Sequence, residues 1–243
     1  MHIQPLGTSV GSEISEQLFL SLTEGLKLPL EHIALRAELG LQSGLDQETL
    51  ESIKTSAYAT LQLVDSYLLS LKLSMEPDER LDLEPVCVSA VLHEACQQLA
   101  STAAQYGVSL ELHIHGKYEP VMAHRQALRA ALVSLGHSLI EAVPAMGHQQ
   151  LRLQLAAHRT KYGIVAGMYC DAEELTPEVF RRAQNLYGHA RQPLVSVSPG
   201  SGSGVFVANA ILTAMASRLR VGRYQKSPGF AVTLPSSQQL ALV

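Results

Sequence analysis

Gly200, Gly202 and Gly204 alternate through the run Pro199-Gly200-Ser201-Gly202-Ser203-Gly204, and an apolar segment, Val205 to Ile211, follows at once. Glycine lets a backbone approach phosphate closely, and the N-terminus of a helix favours anions, so this turn has the makings of a phosphate cradle. The same glycine-serine composition also suits a plain connector. Asp171 ends the apolar run Tyr162 to Cys170, where a carboxylate can accept a hydrogen bond from an amine or simply close a turn. His113 and His115 lie two apart, opposite Leu110, Leu112 and Ile114 on a strand pattern, and so project to one side. With no third ligand beside them they read as a polar face, and no metal site is expected. No Gly-x-Ser-x-Gly elbow, Walker loop or pair of catalytic carboxylates occurs, because Gly202 stands where a nucleophile would be needed.

The elements that must carry these groups fall into two parts. The first 75 residues pattern as a helical hairpin. Leu18, Leu22, Leu26, Leu30, Ile33 and Ala37 form the apolar side of a first helix, which Pro29 is expected to kink by removing a backbone hydrogen bond. Gly40, Ser43 and Gly44 supply the turn and Asp46 a helix N-cap. Leu50, Ile53, Ala57, Leu61, Val64, Leu68 and Leu71 then recur in alternating steps of three and four, a coiled-coil-like seam that asks for partner helices. A four-helix bundle made by two copies satisfies it, which predicts a homodimer. After a joining segment near Met75 to Glu84 come a helix from Ser89 to Gln105, a strand over Gly107–Leu112, two strands over Leu151–Leu155 and Tyr162–Cys170, and a strand over Gly229–Leu234.

Composition narrows the function classes. The chain has 243 residues, 47% of them hydrophobic, enough for one large or two modest units. A net charge of -4 and a pI near 6.2 offer nucleic acid or acidic lipid no general attraction. Cys87, Cys96 and Cys170 are widely spaced and odd in number, against a disulfide framework and for a reducing compartment. Neither a long uninterrupted apolar stretch nor a basic-then-apolar start is present, so the expectation is a cytoplasmic protein with no membrane span, signal peptide or attached sensor domain.

The succession of elements resembles the ATP-binding domain of sensor histidine kinases and their relatives among gyrase and Hsp90. Glu24-Gly25-Leu26-Lys27-Leu28-Pro29-Leu30-Glu31-His32-Ile33 is similar to the kinase segment His-Glu-Leu-Arg-Thr-Pro-Leu-x-x-Ile. The resemblance covers about residues 11 to 235. It implies an α+β fold: a tail over 1–10, a dimerising helical hairpin over 11–76, a linker over 77–87, and an α/β sandwich of the histidine-kinase ATPase type over 88–243.

The residues that resemblance requires for catalysis are replaced. Glu24 stands at the phosphoacceptor histidine and Gly25 at the acidic base; a carboxylate is the poorer nucleophile and would give an acyl phosphate. Glu24 lies about 200° around the helix from Leu22 and Leu26, facing solvent. The two asparagines that would hold Mg2+ are Ser134 and Ser138, shorter and weaker ligands. His137 and Glu141 are expected off the matching face. Asp171 keeps the place of the adenine-reading aspartate, but Glu173 and Leu175 stand where glycines are expected. Glu173 and Glu174 add repulsion toward a triphosphate, on the order of 1 kcal/mol per contact at water-like dielectric. Thr176 to Ser198 occupies the lid region, with Phe180 at a lid phenylalanine position or in the core.

The expectation is a pseudo-histidine kinase that needs no cofactor and binds ATP or ADP weakly through Asp171, Gly200, Gly202 and Gly204. Its partners would be a response-regulator receiver domain or another kinase, docking on Leu28, Glu31 and Leu35, which follow Glu24 at helical spacing. The same residues could instead pack on the C-terminal unit. Two alternatives stay open: a phosphotransferase or weak kinase using His32, about 80° around the helix from Glu24, and a nucleotide-sensing module without turnover.

Overall fold

Asp46 starts the longest helix. Its Oδ1 accepts the Thr49 backbone N–H at 2.7 Å and its carbonyl accepts Leu50 N–H at 3.2 Å, the N-cap arrangement that satisfies orphan amides of a first turn. In the computed structural model the described residues are 26, 30–42, 44, 46–75, 81–142, 151–170, 178 and 203–237. Helix α1 covers residues 30–42 and α2 covers Gln47–Met75. Gly40 lies inside α1 rather than in the turn. The turn falls at Gly44, whose φ of +93° suits a residue without a Cβ.

Helix α2 is divided lengthwise. Ser56, Ser66, Tyr67, Ser70 and Leu73 are buried, while Leu50, Leu61 and Leu68 of the expected seam are exposed. Ile53, Ala57, Val64 and Leu71 are half-buried between the two faces. One side of α2 is therefore spent within the chain and the other is left apolar and open.

The remaining elements run β1 (Glu84–Val86), α3 (Val88–Gln105), β2 (Val108–Ile114), β3 (Val121–Ala123), α4 (Arg125–Glu141), β4 (Leu151–Thr160), β5 (Gly163–Cys170), α5 (Ser203–Ala214), β6 (Leu219–Tyr224) and β7 (Ser227–Leu234). Five strands form one sheet in the order β2-β4-β5-β7-β6. Only β2 and β4 are parallel, with Leu110 opposite Leu153 and Leu112 opposite Leu155; the other pairs are antiparallel. Strands β1 and β3 make a separate antiparallel ribbon, so β1, inside the segment read as linker, is pinned to the α/β unit through Val86 and Val121. The sheet end is tied there too, by Met122 N–H to the Pro235 carbonyl at 3.0 Å and Ser237 N–H to the Pro120 carbonyl at 2.7 Å.

Leu92, Leu99, Leu128, Leu132, Leu135, Leu139, Leu153, Leu155, Met168 and Phe230 are fully buried where α3, α4 and α5 cover one face of the sheet. At about 25 cal/mol per Å² this apolar contact is the main favourable term. The other face carries its own small cluster of Ala156, Tyr169 and Ala231, with Val165 and Tyr224 packed on it. Paired with β5 as far as Thr160 opposite Gly163, β4 runs on to Thr160 rather than stopping at Leu155. Strands β1, β3 and β6 were not anticipated from the sequence.

Candidate functional site

Helix α4 begins at His124, whose Nδ1 accepts the Ala127 backbone N–H at 3.2 Å, and from Leu128 to Ile140 little of it reaches solvent. Ser134, His137, Ser138 and Glu141 follow at steps of three and four, one stripe along the helix. Helix α5 crosses α4 at this stripe. A Cβ placed on Gly204 would stand 2.1 Å from the Ser134 carbonyl oxygen and 2.4 Å from Ser138 Oγ. The two serines and the glycine are thus brought together, and the helices touch backbone to backbone.

The gap left beside this contact is about 10 Å³, walled by Leu63, Tyr67, Ser134, His137, Ser138, Glu141 and Gly204. That is about the volume one water needs and too little for a phosphate. Tyr67 and Leu63 come from α2, so the helical hairpin itself closes the stripe. Tyr67 is only 4% exposed. His137 and Glu141 line the same gap as the serines, contrary to the expectation that they lie off that face. The reason is the enclosure of α4: with α2, α3 and α5 all against it, Ser134, His137 and Ser138 are interior and Glu141 is half-buried.

A larger cavity, about 370 Å³, opens on the other side of His137 and Glu141. Its walls are Glu31, His32, Leu35 and Arg36 of α1, Ser56, Ala59, Thr60 and Leu63 of α2, Ser101, Thr102 and Gln105 of α3 with Tyr106 just beyond, and His137 and Glu141 of α4. His32 Nδ1 lies 3.1 Å from Ser56 Oγ, and Gln105 Nε2 donates to the same hydroxyl at 3.4 Å. Burial pulls the His137 imidazole down to about 4 and pushes the Glu141 carboxyl up to about 8, since a low-dielectric site penalises the charged form of each. At neutral pH both are largely uncharged. Tyr106 is raised to about 12 by burial and by the nearby Glu141. His32 is lowered by burial and by Arg36. His137 Nε2 has no hydrogen-bond partner among the described residues.

The expected site residues are thus placed unevenly. Ser134, Ser138 and Gly204 converge; Glu31 and Leu35 sit at the rim of the large cavity; His32 faces into it. Glu24, Leu28, Pro29, Asp171, Glu173, Glu174, Leu175, Phe180, Gly200 and Gly202 lie outside the described residues. His113 pairs with Glu111 at 3.0 Å and its ring is 6.0 Å from His115. No cluster of three or more metal-binding side chains occurs among the described residues. Tyr67, Ser101, Thr102, Gln105 and Tyr106 were missed by sequence reasoning, because each reads locally as an ordinary helical residue. The spacing of His137 and Glu141, four apart on a helix, was the one available signal.

No described helix is long and apolar enough to cross a membrane. No family model and no curated protein matches the chain. Solved structures do. The Acinetobacter baumannii histidine kinase AdeS aligns at a TM-score of 0.51 and 17% identity, over 88% of this chain and 97% of that one. Full-length ShkA, solved in complex with AMPPNP, aligns at 0.53 and 14%, over 91% of this chain and 46% of that one. The order of elements, a helical hairpin followed by helices on one face of a five-stranded mixed sheet, agrees with both. The chain has the α+β fold of the histidine kinases, a hairpin of the dimerisation type followed by an ATPase-type α/β sandwich.

Proposed function

We propose that this chain is a two-component signalling protein of histidine-kinase shape that does not autophosphorylate, and that acts as a dimeric docking or regulatory partner of a response-regulator receiver domain or another kinase. The observation that carries the reading is the direct contact of Gly204 with Ser134 and Ser138, capped by Tyr67. In this fold the glycine turn and the two serine positions would face a metal-bound triphosphate, and here Gly204 packs directly on the two serines. Glu24 and Gly25 at the acceptor and base positions remove the reacting groups independently. The test is incubation with labelled ATP and Mg2+. No acid-labile, base-stable phosphate should appear on the protein, while a receiver domain or kinase should be captured through Glu31 and Leu35.

Dimerisation is supported by the open side of α2, where Leu50, Leu61 and Leu68 are 46%, 58% and 54% exposed. Such a stripe on a long helix is the material of a coiled-coil seam. One observation favours the phosphotransfer alternative: His32 has a lowered pKa, so its imidazole is held in the neutral, nucleophilic form. Against it, the ring is half-buried and tied to Ser56. Acid-labile label that vanishes in His32→Ala would establish that alternative. ATP or ADP sensing through Asp171 and the glycines would instead appear as saturable binding without turnover.

A further inference from the structure

The 370 Å³ cavity between the hairpin and the α/β unit has the size of a small-molecule site and an uneven distribution of polar groups. Its α4 wall presents the half-buried Glu141, whose carboxyl is raised by burial, with no opposing charge contributing among the described residues. One helical turn earlier, His137 is 6% exposed and its Nε2 has no hydrogen-bond partner among the described residues. The flanking walls add the hydroxyls of Ser101, Thr102 and Thr60. The opposite wall, α1, carries both signs, Arg36 with Glu31 and His32, and so imposes no net preference there.

Buried polar groups without partners are costly, and a buried carboxyl without a cation stays protonated. What the α4 wall lacks is a donor-only cation, the α1 wall's Arg36 being balanced by Glu31. We infer that the cavity lined by His137 and Glu141 is a binding site for a small organic amine, whose ammonium seats on the Glu141 carboxylate and donates to His137 Nε2. An ammonium has three donors and no acceptor, matching a carboxylate, an imidazole lone pair and hydroxyl oxygens. Leu35, Ala59 and Leu63 accommodate an alkyl body. On binding at neutral pH the Glu141 carboxyl releases its proton to solvent and the ligand keeps its own. The groups that face Glu141 and could share the titration are His137 on its own helix, Tyr106 after α3, and His32, Glu31 and Arg36 on α1. The cavity adjoins the Gly204–Ser134 contact through His137 and Glu141, which line both, and the site holds whether or not the protein docks a receiver domain.

The probe is n-butylamine, compared with n-butanol and butyrate as neutral and anionic analogues of the same length. Butylamine should bind saturably at millimolar concentration and raise Tm, with at least about ten-fold preference over butanol and no effect from butyrate. Calorimetry at pH 7 in two buffers of different ionisation enthalpy should show close to one proton released per amine. Glu141→Gln, which mimics the protonated acid in shape, should abolish the preference. Equal stabilisation by amine and alcohol, preference for butyrate, or binding without proton release would each overturn the site. Proton release is read on the unaltered protein, so the result stands even if the variant folds poorly.

Discussion

Gly204 of α5 and Ser134 of α4 meet so closely that a single added methyl at 204 would stand 2.1 Å from the Ser134 carbonyl oxygen. That oxygen is backbone in the buried middle of α4 and cannot step aside as a flexible side chain could. Gly204→Ala should therefore force the two helices apart and destabilise the fold by about 3 kcal/mol, the upper range of overpacking. Chemical denaturation measures this, and a loss under about 0.5 kcal/mol would show the contact to be looser than described.

The same contact bears on nucleotide. ATP should bind no tighter than roughly millimolar, about 4 kcal/mol weaker than micromolar binding. Restoring Ser134→Asn and Ser138→Asn alone should not recover it, because Tyr67 still closes the stripe. Adding Tyr67→Ala should tighten binding relative to the double variant. Micromolar binding to the unaltered protein, lost in Asp171→Asn, would favour the nucleotide-sensing alternative.

His137 and Glu141 predict how stability varies with pH. Glu141 is raised to about 8 from the ordinary 4.5, so the unfolded chain gives up its proton first, and the group lowers stability as pH rises from 4.5 to 8. His137 is lowered to about 4 from 6.5, so its contribution rises with pH between 4 and 6.5. The two slopes oppose each other between 4.5 and 6.5. Above 6.5 only Glu141 of this pair acts, and stability should fall by about 2 kcal/mol by pH 8 at about 1.4 kcal/mol per unit. In Glu141→Gln that fall should be absent, as followed by urea denaturation across the range.

The exposed leucines of α2 predict assembly. Leu61→Gln with Leu68→Gln should convert a dimer into a folded monomer, seen by sedimentation with helical content retained, because neither side chain supports the buried core. Leu35→Asp at the cavity rim should leave the dimer intact and weaken capture of a receiver domain. Should Leu35→Asp dissociate or unfold the protein, the leucine belongs to packing and not to docking.

Asp46 offers a local check. Asp46→Ala removes the 2.7 Å bond to Thr49 N–H and should lower the melting temperature and helical content measured by circular dichroism, while Asp46→Asn should restore most of the loss.

Much of the architecture was legible because it is written in near neighbours. The start of α2 at Asp46, the three-and-four spacing of the apolar series from Leu50 to Leu71, and the apolar runs of β5 and β7 depend on residues a few positions apart, where helix and strand periods act directly. The reading of Glu24, Gly25, Ser134 and Ser138 as replacements of catalytic groups comes from the sequence and its family resemblance alone. Strands β1 and β3, three residues each, escaped because so short a segment carries no period; they exist by pairing Val86 with Val121. The charge state of His137 and Glu141 was not legible at all. It depends on α2 and α3 arriving from elsewhere in the chain to exclude water, and so does the position of Tyr67 over Gly204. Sequence determined which groups were available and along which helix they ran; tertiary packing decided which of them water could reach, and with that their ionisation and the shape of the cavities between them.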